Sequence, residues 1–213
     1  MKQKSKIAIL GGGGRTGKYL VKQLVNQNYS LKLLLRNPEN FNIQNSLIEI
    51  VKGDALDPAA IHSLTAGCQA VISTVGARKD EPLVASQATI NVLKAMEAHQ
   101  IQRHLLLVAG LDIDTPSDRK GPQTSMATEW MKANYSIYHE DKQKAYSILS
   151  ASDIAWTMVR VPFIEFTDER NELLVSLEDC LGTKISAADI AAFLVDQLDD
   201  TTYIRKAPFI ANP

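Results

Sequence analysis

The sequence predicts an α/β protein: a doubly wound, mostly parallel sheet with helices on both faces. Three observations carry this. Short, continuously apolar runs recur through the first two-thirds of the chain. Stretches of helical periodicity separate them. A glycine-rich loop joins the first apolar run to the first helical stretch. Continuous apolar strands alternating with helices are the pattern of a parallel sheet covered on both sides.

The elements follow in order. Ile7-Ala8-Ile9-Leu10 reads as a buried strand, and Leu20, Val21, Leu24 and Val25 then recur at helical spacing. Leu31 to Leu35 and Leu47 to Val51 are the second and third strands. Asp57-Pro58 opens a helix: Asp caps, and Pro suits the first helical position because the N–H it lacks has no partner there. Ala70 to Val75 is the fourth strand, a helix spans about Pro82 to Ala98, and Leu105 to Ala109 is the fifth strand. Each crossover is expected to be right-handed. From Gly110 to Ser136 the rhythm breaks, with Pro116, Gly121 and Pro122 among many polar residues. This irregular segment is either a substrate-side loop or a surface excursion. Helical pattern resumes from about Tyr138 to Ser150, Ala155 to Val161 is a strand, Ser186 caps a last helix, and a short strand lies around Pro208 to Ala211. No linker or repeat divides residues 1–213, so one domain is expected.

Composition narrows the function. With 23 basic and 24 acidic residues the formal net charge is −1, which recruits neither nucleic acid nor an anionic membrane. No apolar run approaches the roughly 20 residues needed to span a bilayer. No signal-peptide core is present, and the expected location is cytoplasmic. Cys68 and Cys180 form no close pair, and with four scattered histidines they offer no metal-ligand spacing. Cys68 reads as a buried, inert thiol.

The informative stretch is Gly11-Gly12-Gly13-Gly14-Arg15-Thr16-Gly17-Lys18, entered by a strand and left by a helix. Glycines allow a tight turn and close approach to a pyrophosphate, and the N–H groups and dipole of the helix start attract its charge. Gly12 through Lys18 is most of a P-loop, but Tyr19 stands where a Mg²⁺-binding hydroxyl is needed. Gly11, Gly14 and Gly17 instead give a dinucleotide loop, as do Gly12, Gly14 and Gly17; glycines alone leave the register open. A dinucleotide unit that takes NAD usually carries an acid about 20 residues beyond the loop. Here the second strand ends at Arg36. A guanidinium there can grip a 2′-phosphate, and Arg15 could add charge to the same phosphate, so NADP(H) is the expected cofactor.

With these residues in place, the chain resembles the atypical short-chain dehydrogenases/reductases with a Rossmann-type fold, in particular the NAD(P)H-binding group that includes NmrA-like proteins and biliverdin-IXβ and flavin reductases. The loop usual there is G-A-T-G-x-T-G, against Gly11 to Gly17 here. Arg36-Asn37-Pro38, Gly53-Asp54-Ala55, Ala70 to Gly76, Ser152 to Pro162 and Ser186 to Ala191 match further blocks in order. The resemblance runs from Lys6 to about Ile210. It implies that Gly13 through Thr16 contact the pyrophosphate and that Arg36 meets the 2′-phosphate. It also implies that Asp54 and Ala55 sit by the adenine, that Thr74, Val75 and Gly76 line the cofactor, and that Pro162 and Phe163 lie near the nicotinamide. Asp54 is equally readable as a turn-forming residue.

Short-chain dehydrogenases often use Tyr-x-x-x-Lys, and the chain has Tyr138-His139-Glu140-Asp141-Lys142. The Tyr would move a proton at the substrate oxygen, and Lys142 would tune it and bond the ribose. The alternative is an ordinary helix with a solvated lysine. His139 is expected to face solvent, with a role as proton donor as the alternative. Val108-Ala109-Gly110 ends the fifth strand where many relatives carry a carbonyl-polarising Ser. The expected function is an NADPH-dependent reductase of a small conjugated or carbonyl substrate. The alternative is a non-enzymatic NAD(P)H-sensing regulator. Substrate and oligomeric state are not legible.

Overall fold

A computed structural model of the chain describes residues 4–76, 83–101 and 105–213. The first unit is β1 (Lys4–Leu10), α1 (Arg15–Asn26) and β2 (Tyr29–Leu35). β3 (Ile48–Lys52), α2 (Pro58–Thr65), β4 (Ala70–Ser73), α3 (Val84–Ala98) and β5 (Leu105–Gly110) continue the alternation. Then come α4 (Pro122–Asn134), α5 (Ser136–Ser150) and β6 (Trp156–Val161), followed by short strands β7 (Phe163–Glu165), β8 (Leu174–Ser176) and β9 (Lys184–Ser186). The chain closes with α6 (Ala187–Asp196) and β10 (Phe209–Ala211).

The main sheet has the order β3-β2-β1-β4-β5-β6-β10-β8, and β7 pairs with β9 in a second, two-stranded sheet. All pairings in the main sheet are parallel except that of β10 with β8. The chain leaves β1 first toward β2 and later returns to its other side as β4. The carboxyl ends of β1 and β4 therefore border a topological switch point, where open α/β sheets form a crevice for ligands.

Alternation along β1 explains the two-sided core. Ile7 and Ile9 pack with Leu20 and Leu24 of α1 and with Ile190 and Leu194 of α6. Ala8 and Leu10 face the other way, toward Ile61 and Leu64 of α2, Val92 and Met96 of α3 and Leu149 of α5. Successive strand side chains point to opposite faces, so an unbroken apolar run serves both layers. Asp57 caps α2 by accepting from the Ala59 N–H at 2.9 Å, with Pro58 in the first helical position. Ser186 caps α6, its Oγ accepting from the Asp189 N–H at 2.9 Å. Cys68 is buried, and burial pushes its thiol up to about 11.

The segment from Gly110 to Ser136 is more regular than its sequence suggests, because α4 occupies Pro122–Asn134. The helix hides its identity by burying Thr124 and Thr128 while Met126 and Trp130 stay exposed. Its approach loop is locked from below by Arg160 of β6, which is completely buried. Arg160 Nη1 donates to both carboxylate oxygens of Asp118 at 2.8 Å and to the Ile113 carbonyl at 2.9 Å. Its Nε donates to the Ala207 carbonyl, and the guanidinium lies 3.5 Å from the centre of the Phe209 ring. Lys120 adds bonds to Asp114 at 2.7 Å and to Thr128 at 3.1 Å. Among the described residues no helix is long and apolar enough to cross a membrane.

Candidate dinucleotide cleft

The loop after β1 shows which glycines do what. Gly11 has φ +79°, a left-handed conformation that disfavours a side chain, and a Cβ there would press on Thr74. The Gly14 N–H closes the turn on the Gly11 carbonyl at 2.9 Å. A Cβ on Gly17 would overlap that same carbonyl oxygen. Gly12 instead packs among Ile9, Val21 and Leu33. The geometry selects the register Gly11, Gly14, Gly17: a turn, a bare helix start and a close helix–strand contact. Gly14 is the N-cap of α1, with no side-chain cap and no acidic residue in the first turn. The helix start thus keeps its positive end available to an anion.

A cleft of about 370 Å³ opens on this loop, within the size range of small-molecule sites, roughly 300–1,000 Å³. Gly11, Gly13, Gly14, Arg36, Ala55, Thr74, Val75 and Gly76 are among its lining residues. The carboxyl ends of four strands, β1 to β4, converge there. Thr74 ties two of them, its Oγ1 donating to the Gly11 carbonyl at 3.2 Å. Ala55 is fixed through its carbonyl, which accepts from Asn91 Nδ2 of α3 at 3.0 Å. The cleft fits an elongated phosphate-bearing ligand. Glycines at 11, 13 and 14 keep Cβ atoms out of its floor, the helix start is uncapped, and a guanidinium waits at one end.

Arg36 is half exposed, with Nε 3.7 Å from Asp54 Oδ2. Asp54 also forms a turn, its Oδ1 accepting from the Leu56 N–H at 2.8 Å. Both readings of Asp54 therefore coexist: it shapes the turn after β3 and stands beside the cleft next to Arg36. Arg15 does not join Arg36. Its guanidinium lies over the Phe166 ring, 4.5 Å from the centroid, and Arg15 is not among the residues that line the cleft. Thr16 occupies the first turn of α1 beside it. Pro162 is buried at the end of β6, while Phe163 is 74% exposed.

Helix α5 meets the carboxyl ends of β4 and β5, on the same edge of the sheet as the cleft. Lys142 Nζ donates to the main-chain carbonyls of Val75 (3.0 Å) and Val108 (3.2 Å), bridging the ends of β4 and β5. Burial lowers its pKa to about 8, with Asp141 and Asp112 opposing the shift. Asp141 accepts from the Ala85 N–H at 2.7 Å and the Ser86 N–H at 3.1 Å, capping α3 from outside. Tyr138 is half-buried one turn before Lys142, and the aromatic rings of Trp130, Tyr135 and Tyr138 form a row at the α4–α5 junction.

His139 departs from expectation. It is buried, 8% exposed, and its Nδ1 lies 2.9 Å from Asp112 Oδ2. Nothing local signals this, because a histidine between Tyr138 and Glu140 on a polar helix looks solvated. The partner that buries it sits 27 residues earlier, just past β5. Asp112 escaped sequence reasoning altogether; the only available signal was Gly110, whose missing Cβ leaves room for the Asp112 carboxylate. Among the described residues no three of His, Cys, Asp and Glu come together to hold a metal ion.

Comparison with known proteins agrees with this geometry. The family model described as NAD(P)H-binding matches residues 11–201. Eugenol synthase 1 of Petunia hybrida is 31% identical over 229 aligned positions, covering 100% of this chain and 70% of that protein. An isoflavone reductase homolog (A622-like) of Nicotiana tabacum is 32% identical over 122 residues, covering 53% of this chain. The chain spans only 37% of the length of that relative. A wide-type short-chain dehydrogenase/reductase of Veillonella parvula, solved in complex with NADP, superposes with a TM-score of 0.81 at 17% identity, covering 98% of this chain and 95% of the other. That likeness speaks for the fold. Taken with the glycine loop at the switch point of the sheet, the family match makes this chain a member of the NAD(P)H-binding family.

Proposed function

We propose that this chain is an NADP(H)-dependent reductase of a small conjugated or carbonyl substrate. The observation that carries the reading is the alignment of the cleft. Arg36 stands at the β2 end, the bare glycine loop lies at the middle, and Lys142 bridges β4 and β5 beyond it. In this reading Arg36 receives the 2′-phosphate and the start of α1 faces the pyrophosphate. Val75 and Gly76 flank the ribose, and Pro162 and Phe163 border the nicotinamide. When bound, the dinucleotide supplies the hydride. Tyr138 supplies the proton at the substrate oxygen, and the nearby Lys142 ammonium favours the phenolate that remains. The protein contributes mostly orientation and the exclusion of water. The names of the plant relatives, eugenol synthase and isoflavone reductase homolog, support a conjugated aromatic substrate.

The test is a titration with NADPH and with NADH, followed by quenching of Trp130 and Trp156, and then NADPH oxidation with flavin, quinone and aldehyde probes. NADPH binding at least about 30-fold tighter, roughly 2 kcal/mol, with turnover of one probe is the expected result. Absence of binding by both dinucleotides overturns the reading. A second reading, a dinucleotide-sensing regulator, draws on the exposed apolar side chains of Met126, Trp130, Tyr135 and Ile137 around the α4–α5 junction. It predicts tight NADPH binding without turnover of any probe, and capture of a partner only in the presence of NADPH.

A further inference from the structure

β5 ends in Ala109 and Gly110, which carry no side-chain hydroxyl, yet polar chemistry is built beside them. A Cβ on Gly110 would overlap the carboxylate of Asp112, so the glycine lets Asp112 fold back against the strand end. There Asp112, 5% exposed, meets His139 of α5. A carboxylate only accepts, so the shared proton belongs to the imidazole and Nδ1–H donates to Oδ2. The other ring nitrogen is placed differently. Among the described residues, the buried side-chain atoms without a partner are Trp156 Nε1 and Gln197 Oε1. His139 Nε2 has no hydrogen-bond partner among the described residues and is not one of those sealed atoms, so it keeps some access to solvent. A ring otherwise nine-tenths buried thus presents one free nitrogen. It does so past the carboxyl end of β5, next to Tyr138 and one turn from Lys142.

We propose that His139, held by Asp112, binds the reacting oxygen of the substrate through Nε2 and takes the place of the hydroxyl that Ala109 and Gly110 cannot provide. This rests on the reductase reading and deepens it. With Nδ1–H committed to Asp112, a donor at Nε2 requires the doubly protonated ring. The adjacent Asp112 carboxylate balances that charge. The other charged groups nearby are Glu140, Asp141 and Lys142 on the same helix and Asp114 on the facing loop. Asp114 is already paired with Lys120 and Lys132. As the carbonyl carbon accepts hydride, its π-electron pair moves onto oxygen, and the Nε2–H bond strengthens with the developing charge. The proton that completes the alcohol comes from the Tyr138 hydroxyl, which regains one from water. The carbonyl is reduced, NADPH is oxidised, and His139 keeps its proton. Asp112 is a positioning residue that fixes ring orientation and charge.

The experiment uses the full chain, with NADPH and three carbonyl probes: phenanthrenequinone, menadione and nitrobenzaldehyde. Wild type, His139→Gln and Asp112→Asn are compared in kcat, NADPH affinity and the primary deuterium isotope effect from NADPH labelled at the transferred position. Proton NMR follows the imidazole Nδ1–H. His139→Gln is expected to lower kcat about 100-fold, the typical loss of one transition-state donor. NADPH affinity should hold, and the isotope effect should rise as hydride transfer becomes limiting. Asp112→Asn should move kcat the same way and shift the downfield Nδ1–H signal upfield, because a neutral amide oxygen is a weaker acceptor than a carboxylate. Unchanged kcat in His139→Gln on every probe that wild type reduces overturns this proposal alone. Loss of NADPH binding in both variants assigns the pair to structure and also overturns it. A wild type that reduces none of the probes overturns the reductase reading and this proposal together. Should glutamine at 139 prevent folding, Asp112→Asn, which keeps an acceptor toward Nδ1–H, carries the same test.

Discussion

The Lys142 ammonium donates to the Val75 carbonyl at 3.0 Å, joining helix α5 to the end of β4 exactly one strand away from the glycine loop. That bond, with its companion to Val108, makes Lys142 a clamp on the sheet as well as a neighbour of the cleft. Its burial has a measurable consequence. The folded value is about 8, against 10.5 for the free side chain. Between those two pH values the unfolded chain binds more protons at this site than the folded one, so the contribution of Lys142 to stability rises with pH. In urea unfolding, the stability of wild type relative to Lys142→Met is expected to increase between pH 8 and 10.5 and to level off below. A flat difference would mean that the ammonium is as well solvated folded as unfolded.

The register of the glycine loop yields a second prediction. In Gly17→Ala the new methyl would overlap the Gly11 carbonyl oxygen, and the neighbouring contact, the Gly12 backbone, cannot turn aside as a flexible side chain could. Overpacking of this kind costs about 1–3 kcal/mol. The variant should unfold at lower urea and lose dinucleotide binding, because α1 must move away from β1. By contrast, a methyl on Gly76 would meet nothing within 4 Å, and Gly76→Ala should keep wild-type stability. Equal stability for the two variants would refute the close helix–strand contact assigned to Gly17.

Much of this frame is legible in the sequence, for reasons that also explain what is not. Strand β5 and the Ile7–Leu10 part of β1 are continuous apolar runs, and β2 is apolar but for Ser30 and Lys32, because both faces of a parallel sheet are covered. The caps Asp57 and Ser186 are local, so their signals lie within three residues. Helix α4 is not legible because its periodicity is inverted, with threonines inward and Met126 and Trp130 outward. Strands β7, β8 and β9 are three residues each, too short to show alternation. In the site, the glycine loop and Arg36 could be found from spacing. The Arg15–Phe166 and His139–Asp112 contacts could not, since each joins segments far apart in sequence that only the folded chain brings together.

Arg36 and Asp54 set up a third prediction. The guanidinium would attract a 2′-phosphate, whereas the carboxylate 3.7 Å away would repel it. A charge-assisted hydrogen bond is worth about 1.5–3 kcal/mol. Arg36→Leu should therefore weaken NADPH by roughly 10- to 100-fold and leave NADH nearly unchanged, while Asp54→Asn should shift preference further toward NADPH. Isothermal titration with both dinucleotides measures each effect. If Arg36→Leu weakens the two dinucleotides equally, Arg36 supports the adenine end in general and does not read the phosphate.

The buried pair of Arg160 and Asp118 leads to the last prediction. Arg160 is wholly inside the protein and Asp118 is only 10% exposed at its side chain. Burial pulls the guanidinium down from its usual range while Asp118 holds it charged. Removing one partner of such a pair leaves the other charge uncompensated, at about 3–5 kcal/mol. Asp118→Ala should therefore destabilise strongly. It should also free the loop between β5 and α4, because Asp118 bonds Thr115 as well as Arg160. Replacing both, as in Arg160→Met with Asp118→Ala, should recover part of the loss, since the stranded cation is gone and methionine can keep contact with Phe209. Urea unfolding of the single and double variants gives the coupling, and hydrogen exchange across residues 111–121 reports the loop. A double variant no more stable than Asp118→Ala would show that the loop is held by the Arg160 bonds to the carbonyls of Ile113 and Ala207 rather than by charge balance.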